Sequence, residues 1–338
     1  MSTGRRCLPG GDQTTETDVN VPVSAGKPPL PTLVIHGGAG TVSREQMTPE
    51  RERAYHEALA HCLRAGQRVL LEDGSALAAV VAAVVALEDC PLFNAGHGAV
   101  LTSAGHAELD AAVMDGRTRR AGAVGAVTRI RNPVRAALEV MRRTPHVLLA
   151  GPGADAFALA QGLDMVEPDY FVTEARRAQL ARAQSAGRVM IDHDAETLTD
   201  GRTGTVGAVA VDSRGEVAAA TSTGGLVNKL PGRVGDTPVP GAGTYADNAT
   251  AAVSGTGKGE AFMLSLAAHK VAVLMEFAGL SVQAAVERVA SVDLPRADGQ
   301  GGLIAVDAQG NVGIAFGTTG MYRGIVRGDG TPETAIYR

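Results

Sequence analysis

A threonine follows a glycine at the point where a polar stretch of the chain becomes strand-like. In TDGRTGTVGAVAVD, residues 199–212, no hydrophobic period precedes Gly204, whereas a strand-like pattern begins at Thr205. A threonine hydroxyl is a weak nucleophile unless a base lies beside it. The α-amine of an N-terminal threonine, with a reference pKa of about 7.7 to 8.0, is such a base. Cleavage between Gly204 and Thr205 would therefore create a nucleophile together with its base.

The same local pattern also has a simpler interpretation. β-Branched residues commonly begin strands, and at Thr205 alone this structural interpretation is the more frequent one. Glycine at position 204 suits cleavage, because it tolerates the strained backbone that brings a hydroxyl against the preceding carbonyl. The choice between the two interpretations depends on the rest of the chain.

The composition indicates a globular protein with a sizeable core. The chain has 338 residues, of which 45% are hydrophobic, and a formal net charge of −5, so it accommodates one large domain or two ordinary ones. The acidic balance gives no basic patch, and we expect no nucleic-acid partner. Cys7, Cys62 and Cys90 show no paired spacing, which favours a reducing compartment and predicts a cytoplasmic location.

Neither the N-terminal segment nor the apolar runs indicate a membrane protein. Residues 1–30 are rich in Pro, Gly, Ser and Thr and lack an apolar core of signal-peptide length, so they predict a disordered leader. The apolar runs 75–89 and 270–280 are shorter than the roughly twenty residues needed to span a bilayer. We expect buried helices there, and no membrane partner. We also expect Met263, Met275 and Phe277 to be core residues of a helix in this region.

Strands and helices are expected in both halves of the chain. The strands lack clear alternation, which predicts two sheets buried on both faces and covered by helices outside. Between the halves, residues 173–204 begin as a charged helix and lose all period, as in a linker. In the first half we predict strands at 31–40, 106–116, 120–130 and 146–151 and helices at 49–71, 75–89, 132–144 (capped by Asn132) and 154–163. In the second half we predict strands at 205–212 and 215–223, a Gly-rich region to residue 259, helices at 259–279 and 281–291, and two strands within 301–324.

Several common catalytic motifs are missing from the sequence. It contains no GxSxG, HExxH or GxxxxGK[ST] pattern, and the eight histidines have no metal-ligand spacing. The stretch GTGKGE, residues 255–260, lacks the Lys-Ser/Thr pair of a phosphate-binding loop. We therefore expect no cofactor for catalysis.

A set of longer motifs, in order along the chain, resembles one family. In the second half these are GTVGAVAVD (204–212), ATSTGGLVNKLPGRVGDTPVPGAGTYADN (220–248) and SGTGKGE (254–260). In the first half they are HGGAG (36–40), LEDCPLFNAGHGAVLT (87–102), ELDAAVMDG (108–116) and RNPVRAA (131–137). Across residues 31–326 the chain resembles the plant-type asparaginases, also called isoaspartyl aminopeptidases, of the N-terminal nucleophile hydrolases.

The resemblance implies a fold and an activity. The expected fold is α+β, a four-layer αββα sandwich, made from an α-subunit (31–204) and a β-subunit (205–338) after self-cleavage. The expected assembly is a dimer of αβ units, and the expected substrates are L-asparagine and β-aspartyl dipeptides. Within this framework Thr205 is the nucleophile and, through its freed amine, the general base.

The resemblance also implies roles for neighbouring residues. Thr223 would hydrogen-bond the nucleophile, Thr256 would assist near the scissile carbonyl, and Gly257 would supply oxyanion-type backbone contacts. Asn94 would contact the nucleophile region; the alternative is that an asparagine in FNAG stabilises a turn.

A charged pair in GRVGD suits the recognition of a free amino acid. A guanidinium beside an acid matches the adjacent carboxylate and ammonium of such a substrate. The family uses Arg233 for the α-carboxylate and Asp236 for the α-ammonium, with a backbone contact from Gly259. The alternative is an ion pair in a surface loop, which contributes little energy.

A structural sodium ion is also implied, in the loop around Asn94. A curled loop with Pro91 and Gly96 can direct several carbonyls inward. His36, by contrast, is expected to be a buried structural histidine. The family's sodium loop maps onto the backbone oxygens of Leu87, Glu88, Cys90, Phe93, Ala95 and His97.

The resemblance has departures and competitors. Lys258 replaces a small polar residue near the expected carboxylate site, and Gly317 and Thr319 replace an asparagine and an acid. A glycosylasparaginase would usually carry Asp before the nucleophile and Asn at the first glycine of TSTGG, where this chain has Gly204 and Gly224. From another class, an uncleaved protein that binds small amino acids would keep the same pocket.

Overall fold

The computed structural model describes residues 29–40, 42, 44–187, 189 and 204–338. The predicted leader therefore lies outside the described residues except for its last two, and residues 190–203 of the predicted linker lie outside them too. Up to residue 187 the regular elements are β1 (Thr32–Gly40), α1 (Pro49–Leu71), α2 (Ala76–Glu88), β2 (Leu109–Asp115), β3 (Ala121–Val127), α3 (Pro133–Arg143), β4 (Leu148–Ala150), α4 (Gly151–Ala160) and α5 (Glu174–Ser185). From residue 204 they are β5 (Val206–Val211), β6 (Val217–Thr223), β7 (Thr244–Ala246), β8 (Ala251–Gly257), α6 (Gly259–Ser265), α7 (Ala267–Ala278), α8 (Val282–Arg288), α9 (Leu294–Arg296), β9 (Gly301–Asp307), β10 (Val312–Phe316), β11 (Gly320–Arg327) and β12 (Glu333–Tyr337).

The long helices of the first half begin at local capping signals. The Thr48 hydroxyl accepts a hydrogen bond from the Arg51 amide, and Pro49 follows as the first residue of α1. The Ser75 hydroxyl accepts one from the Ala78 amide at the start of α2. These side chains satisfy amide donors that have no partner within the helix. The predicted helices at 49–71 and 75–89 are confirmed.

Strands from both halves of the chain interleave in an eight-stranded sheet. Its order is β12-β11-β1-β5-β6-β2-β3-β4, and only β3 and β4 pair in parallel. β5, which starts directly after Thr205, lies between β1 of the first half and β6, and β6 in turn pairs with β2 of the first half. A cut before Thr205 would leave two chains joined by these backbone ladders.

A second sheet packs face to face on the first. It has four strands in the order β10-β9-β8-β7, and β8 and β9 lie under β1 and β5. The strands facing the interior are buried along their whole length, as the missing alternation predicts. The fully buried residues shared between the two sheets include Val34, Val209, Ala219, Ile304, Val306 and Met321.

Helices cover the outer face of each sheet. α1, α2 and α3 pack on the large sheet, and α7 and α8 pack on the small one. The layers therefore run helix, sheet, sheet, helix. The predicted α+β fold, a four-layer αββα sandwich of the N-terminal nucleophile hydrolase type, is confirmed.

Two features of the second half differ from the sequence-based expectations. The Gly-rich region before residue 259 contains β7 and β8, and β8 is an inner strand of the small sheet. The predicted helix 259–279 is two helices, because Leu266 adopts a left-handed φ of 49° between them. Phe277 was expected in the core but is 77% exposed, while Met263 and Met275 are partly buried.

The helical stretch Gly259–Ala278 is long and apolar enough, by length and composition alone, to cross a membrane. This stretch is longer than the apolar run 270–280 that was judged too short to span a bilayer. Its break at Leu266 and the burial of Ala268 and Val271 against the small sheet are typical of a core helix.

The start of α3 differs from its prediction, and the segment predicted as a linker begins with a helix. Asn132 precedes α3 as expected, but its side chain makes no capping hydrogen bond; the buried Glu88 carboxylate accepts from the Val134 amide instead, at 3.0 Å. The start of the predicted linker is the docked helix α5, in which Arg176 is 1% exposed and donates from Nε to the Gly98 carbonyl at 2.7 Å. The charged helix expected at the start of this segment is therefore present as α5.

Candidate active site

Thr205 and Thr223 lie side by side at the ends of paired strands. β5 and β6 are antiparallel, and Val206 pairs with Ser222, so Thr205 comes opposite Thr223. The Thr205 hydroxyl donates to the Thr223 hydroxyl over 3.2 Å, and Thr205 is only 7% exposed. The Gly225 amide also donates to the Thr223 hydroxyl, at 2.9 Å. Thr223 thus fixes the direction of the Thr205 hydroxyl, as the sequence predicts.

Thr256 approaches from the small sheet. It lies in β8, is fully buried, and accepts a hydrogen bond from the Ala39 amide at 3.2 Å. Gly257 has a φ of 150°, and a Cβ there would come within 2.3 Å of the Gln300 carbonyl oxygen. The structure therefore ties Thr256 to the glycine-rich end of β1.

Asn94 braces the turn that follows Thr223. Its side-chain amide donates to the Gly225 carbonyl at 2.8 Å, and its side-chain oxygen accepts from the Val100 amide at 2.9 Å. The Gly224 amide donates to the Asn94 carbonyl at 3.1 Å. The structure thus shows the turn-stabilising role of Asn94, and its contact with the nucleophile region stays a prediction.

The Arg233 guanidinium is surrounded by glycines, whose missing side chains leave space for it. We call residues 224–236, which follow β6, the recognition loop. A Cβ at Gly225, Gly235 or Gly259 would come within 3.3, 2.9 and 2.8 Å, respectively, of a guanidinium nitrogen of Arg233. Nε and Nη2 both donate to one oxygen of Glu260, at 3.1 and 2.9 Å. That arrangement leaves the Nη1 side of the guanidinium for another acceptor.

Asp236 is a buried acid with an unused oxygen. The residue is 4% exposed, and its Oδ2 has no hydrogen-bond partner among the described residues. Glycines again make the space, since a Cβ at Gly243 would come within 2.6 Å of Oδ2 and one at Gly259 within 2.8 Å of Oδ1. Burial raises the pKa of Asp236 to about 7, although Arg233 acts in the opposite direction. A cationic group beside Oδ2 would relieve this cost.

Two acids at the start of β2, Asp110 within the strand and Glu108 just before it, hold the recognition loop. Glu108 accepts from the Gly232 amide at 2.7 Å, and Asp110 accepts from the Gly235 amide at 3.2 Å. The ammonium of Lys229, which is 1% exposed, donates to the Glu108 carbonyl at 2.8 Å, and burial lowers its pKa. Sequence reasoning assigned no role to Glu108, Asp110, Lys229 or Glu260. For Glu108 and Asp110 the available signal was the presence of both acids in the mostly apolar predicted strand 106–116.

The predicted sodium loop curls onto two glycines. A Cβ at Gly96 would come within 2.3 Å of the Glu88 carbonyl oxygen, and one at Gly98 within 2.1 Å of the Phe93 carbonyl oxygen. A side chain at either position would therefore collide with the backbone of the loop, so the loop needs glycine at both. The Glu88 side chain has a separate task, because it accepts from the Ser222 hydroxyl at 2.7 Å, and burial raises its pKa to about 8.

The departures from the family pattern have local partners. The Lys258 ammonium pairs with Asp298 at 3.0 Å and donates to its carbonyl at 2.7 Å. The Thr319 hydroxyl accepts from the Val42 amide at 2.9 Å and donates to the Gly40 carbonyl at 3.2 Å. Thr319 therefore supports the end of β1.

Comparison with known proteins agrees with this geometry. The model of the asparaginase family matches residues 29–336. The chain belongs to the asparaginase family.

Relatives from distant organisms align over nearly their whole length. An isoaspartyl peptidase of Salmonella typhimurium is 54% identical over 307 residues, which cover 90% of this chain and 98% of the relative. A probable isoaspartyl peptidase/L-asparaginase 2 of Arabidopsis thaliana is 39% identical over 324 residues, covering 90% and 98%. The isoaspartyl peptidase/L-asparaginase of Homo sapiens is 42% identical over 292 residues, covering 86% and 91%.

Membership of the asparaginase family makes the chain a hydrolase of the N-terminal nucleophile type. In such a hydrolase the first residue after a cut supplies the nucleophile. Thr205 directly precedes the inner strand β5, and its hydroxyl bonds that of Thr223. This position suits the first residue after a cut.

Proposed function

We propose that the chain cuts itself between Gly204 and Thr205 and then hydrolyses L-asparagine to L-aspartate and ammonia, and β-aspartyl dipeptides to aspartate and an amino acid. The observation that carries this proposal is the Thr205 hydroxyl, which is held by Thr223 at 3.2 Å at the start of a strand shared by both halves of the fold. The names of the aligned relatives support the substrate class.

The cut itself needs only the chain and water. The Thr205 hydroxyl adds to the Gly204 carbonyl carbon, the C–N bond breaks, and the hydroxyl proton passes to the nitrogen. The resulting ester is hydrolysed, which leaves a carboxylate on Gly204 and a free amine on Thr205. Because β5 stays paired with β1 and β6, the new terminus keeps its place after the cut.

The mature site then works through the new amine. The amine takes the proton of the Thr205 hydroxyl as the oxygen attacks the side-chain amide carbonyl of the substrate. That proton passes to the leaving ammonia or peptide amine, and the aspartyl group remains as an ester. Water, activated by the same amine, releases aspartate. Thr256 and the Gly257 backbone would stabilise the oxyanion, where loss of one donor typically costs about 3 to 4 kcal/mol.

Recognition of the substrate follows from the charges. The α-carboxylate would bind the free side of the Arg233 guanidinium, and the α-ammonium would bind the unused Oδ2 of Asp236. The backbone of Gly259 would add a contact, since its missing side chain leaves room beside both groups. A binding pocket for one free amino-acid end results.

We further propose that the curled loop binds sodium through the carbonyls of Leu87, Glu88, Cys90, Phe93, Ala95 and His97. Two of these carbonyls, those of Glu88 and Phe93, lie in the tight curl at Gly96 and Gly98, and carbonyl oxygens are ligands that suit a hard monovalent cation. When bound, the ion would supply a fixed positive charge that holds the loop. Residue Asn94 of this loop would then brace the turn after Thr223.

The assembly as a dimer of αβ units and the cytoplasmic location also belong to the proposal. Sedimentation or light scattering tests the first, and fractionation of cells tests the second. Cys62 is buried and, like Cys90, is a free thiol in the structure, which supports a reducing compartment.

The substrate assay uses four compounds side by side. We expect release of aspartate from L-asparagine and from a β-aspartyl dipeptide, and none from the α-aspartyl isomer. Preferential hydrolysis of N-acetylglucosaminyl-asparagine would instead favour the glycosylasparaginase alternative. Tight binding of aspartate to an uncut chain that hydrolyses none of them would favour an amino-acid-binding protein.

A further inference from the structure

The histidine of HGGAG contacts the main chain of the nucleophile. His36 is fully buried in β1, and its Nδ1 lies 3.0 Å from the Thr205 carbonyl oxygen. On the other side of the ring, Nε2 lies 2.9 Å from the Ser254 hydroxyl of the small sheet. The ring therefore bridges the two sheets directly behind Thr205.

The bond partners determine the tautomer of this ring. A carbonyl oxygen only accepts, so Nδ1 must carry the hydrogen and donate to Thr205. Burial lowers the pKa of His36 to about 3, against the effect of that bond, so the ring is neutral and Nε2 accepts from Ser254. The neutral imidazole thus accepts a hydrogen bond at Nε2 and donates one at Nδ1.

Further hydroxyls extend the bridge in the same direction. The Thr244 hydroxyl donates to that of Thr221 at 2.7 Å, and the Thr221 hydroxyl lies 2.8 Å from that of Ser254. Since Ser254 gives its hydrogen to the ring, Thr221 must give its own to Ser254. We call Thr244, Thr221, Ser254 and His36 the relay. Every bond in the relay points towards the Thr205 carbonyl.

The surrounding backbone leaves room for the relay. A Cβ at Gly207 would come within 2.0 Å of the Ser254 hydroxyl oxygen and 2.5 Å of His36 Nε2. Glycine is therefore required in β5 at the point where the bond between the sheets passes. The register of β1 against β11 also shifts between His36 and Gly38.

We propose that His36, oriented by Ser254, Thr221 and Thr244, is a positioning residue that anchors the Thr205 carbonyl and so fixes the nucleophile and its amine for reaction. This inference rests on the proposed role of Thr205. The amine and the hydroxyl-bearing carbon of Thr205 are both attached to the Cα that carries this carbonyl. Once the bond to Gly204 is cut, the carbonyl is the remaining main-chain link, and its anchoring limits rotation of both reactive groups.

The far end of the relay reaches the recognition side of the site. The Thr244 hydroxyl also lies 3.1 Å from the Thr237 carbonyl oxygen, and Thr237 follows Asp236 directly. Because the single hydrogen of the Thr244 hydroxyl is given to Thr221, the relay begins at Thr244, and the Thr237 carbonyl is a neighbour of the relay and not a member of it. The relay is neutral throughout and adds no charge beside the amine.

The test compares two substitutions of the same ring. In His36→Asn the side-chain amide can still donate from the place of Nδ1, whereas His36→Leu donates nothing. We expect kcat per cleaved enzyme to fall about 100-fold in His36→Leu and about tenfold or less in His36→Asn, with KM nearly unchanged in both. Ser254→Ala keeps the ring but removes the donor to Nε2, and a fall of about threefold to tenfold is expected.

His56→Asn serves as the matched control. His56 bonds Thr334 at the start of β12, and this variant is expected to keep full activity. A His36→Leu enzyme that is less stable to heat but retains kcat within twofold would overturn the proposal, since the ring would then be only structural. Loss of the acidic limb of the kcat pH profile in His36→Asn would also overturn it, because the ring would then be a proton acceptor. If neither His36 variant folds, an unchanged kcat in Ser254→Ala overturns the proposal and a lowered one supports it.

The wild-type chain separates this inference from the proposed function. If it remains uncut and inactive, the role of Thr205 fails. If it cuts and hydrolyses normally while the His36 and Ser254 variants match it, only the positioning role fails.

Discussion

The two ends of the candidate site differ in charge. Around the nucleophile the contacts come from the hydroxyl of Thr223, backbone amides and the neutral ring of His36. Around the recognition loop they come from ionisable side chains, namely Arg233, Asp236, Glu260, Lys229, Glu108 and Asp110.

This difference matches two different tasks. A cation beside the Thr205 amine would lower its pKa and weaken it as a base, and an anion there would keep it protonated. Neutral contacts avoid both effects. A substrate with one carboxylate and one ammonium, in contrast, is best bound by side chains of opposite fixed charge. Substitutions at the nucleophile end should therefore change kcat, and those at the recognition end should change KM.

The largest effect is expected from Thr223→Val, which replaces a hydroxyl by a methyl group of similar size. Without its partner the Thr205 hydroxyl loses its fixed direction, and we expect kcat to fall by about 10² to 10³. Thr32→Val is a suitable control, because that buried hydroxyl bonds only the nearby Leu30 carbonyl in the structure. Steady-state kinetics on L-asparagine measures both, and a Thr223→Val enzyme that changes only in KM would contradict the division between the two ends.

Arg233→Lys is expected to act mainly on KM. The lysine keeps one positive charge but loses the planar donors that can hold a carboxylate while Glu260 occupies the opposite edge. We expect kcat/KM to fall by about 30- to 100-fold, in the range of a lost charge-assisted hydrogen bond. Arg288→Lys, in an ion pair on α8, should leave both constants unchanged. A comparable loss in that control would point to a general effect of the substitution.

The pH dependence should reveal Asp236. Its pKa of about 7 means that the carboxyl is largely protonated below that pH in the free enzyme and cannot pair with an ammonium. Below pH 7 we therefore expect kcat/KM to lose up to tenfold per pH unit from this group, while kcat falls at lower pH because a bound ammonium lowers the pKa of Asp236.

The matching variant is Asp236→Asn. It should raise KM strongly and remove this part of the pH dependence of kcat/KM. It should also unfold at a temperature no lower than the wild type at pH 8, where the wild-type acid is ionised and buried without a partner on Oδ2. An unchanged acidic limb would mean that Thr205 or another group causes it.

The smallest effect is expected from Glu260→Gln. Glu260 is 44% exposed at its side chain, so the pair with Arg233 is partly screened, and we expect a rise in KM of only about threefold to fivefold. Glu287→Gln, on α8, is the control and should behave as wild type. A fall in KM would show that Glu260 competes with the substrate carboxylate instead of orienting Arg233.

The sequence predicted most where residues belong to long motifs that are ordered along the chain. The hydrogen bond between Thr205 and Thr223 was expected from such motifs and is present in the structure. The roles given to Arg233 and Asp236 stay predictions. The fold followed from the same motifs and from strands without alternation.

Residues whose role depends on distant partners could not be assigned in this way. His36 looked structural, because its partners Thr205 and Ser254 lie 169 and 218 positions away along the chain. Asn132 was chosen as a cap on local chemistry, but the Val134 amide at the start of α3 donates to Glu88, which lies 46 positions before Val134 along the chain. β8 was missed, because a strand of small residues buried on both faces shows neither alternation nor bulk.

The most direct test of the central idea is the intact mass of the purified chain under denaturing conditions. A self-generated N-terminal nucleophile predicts two polypeptides, residues 1–204 and 205–338, with Thr205 at the new N-terminus, and a single uncut polypeptide for Thr205→Ala. A wild-type sample that hydrolyses L-asparagine as one intact chain, or a Thr205→Ala sample that still divides at this bond, would contradict it.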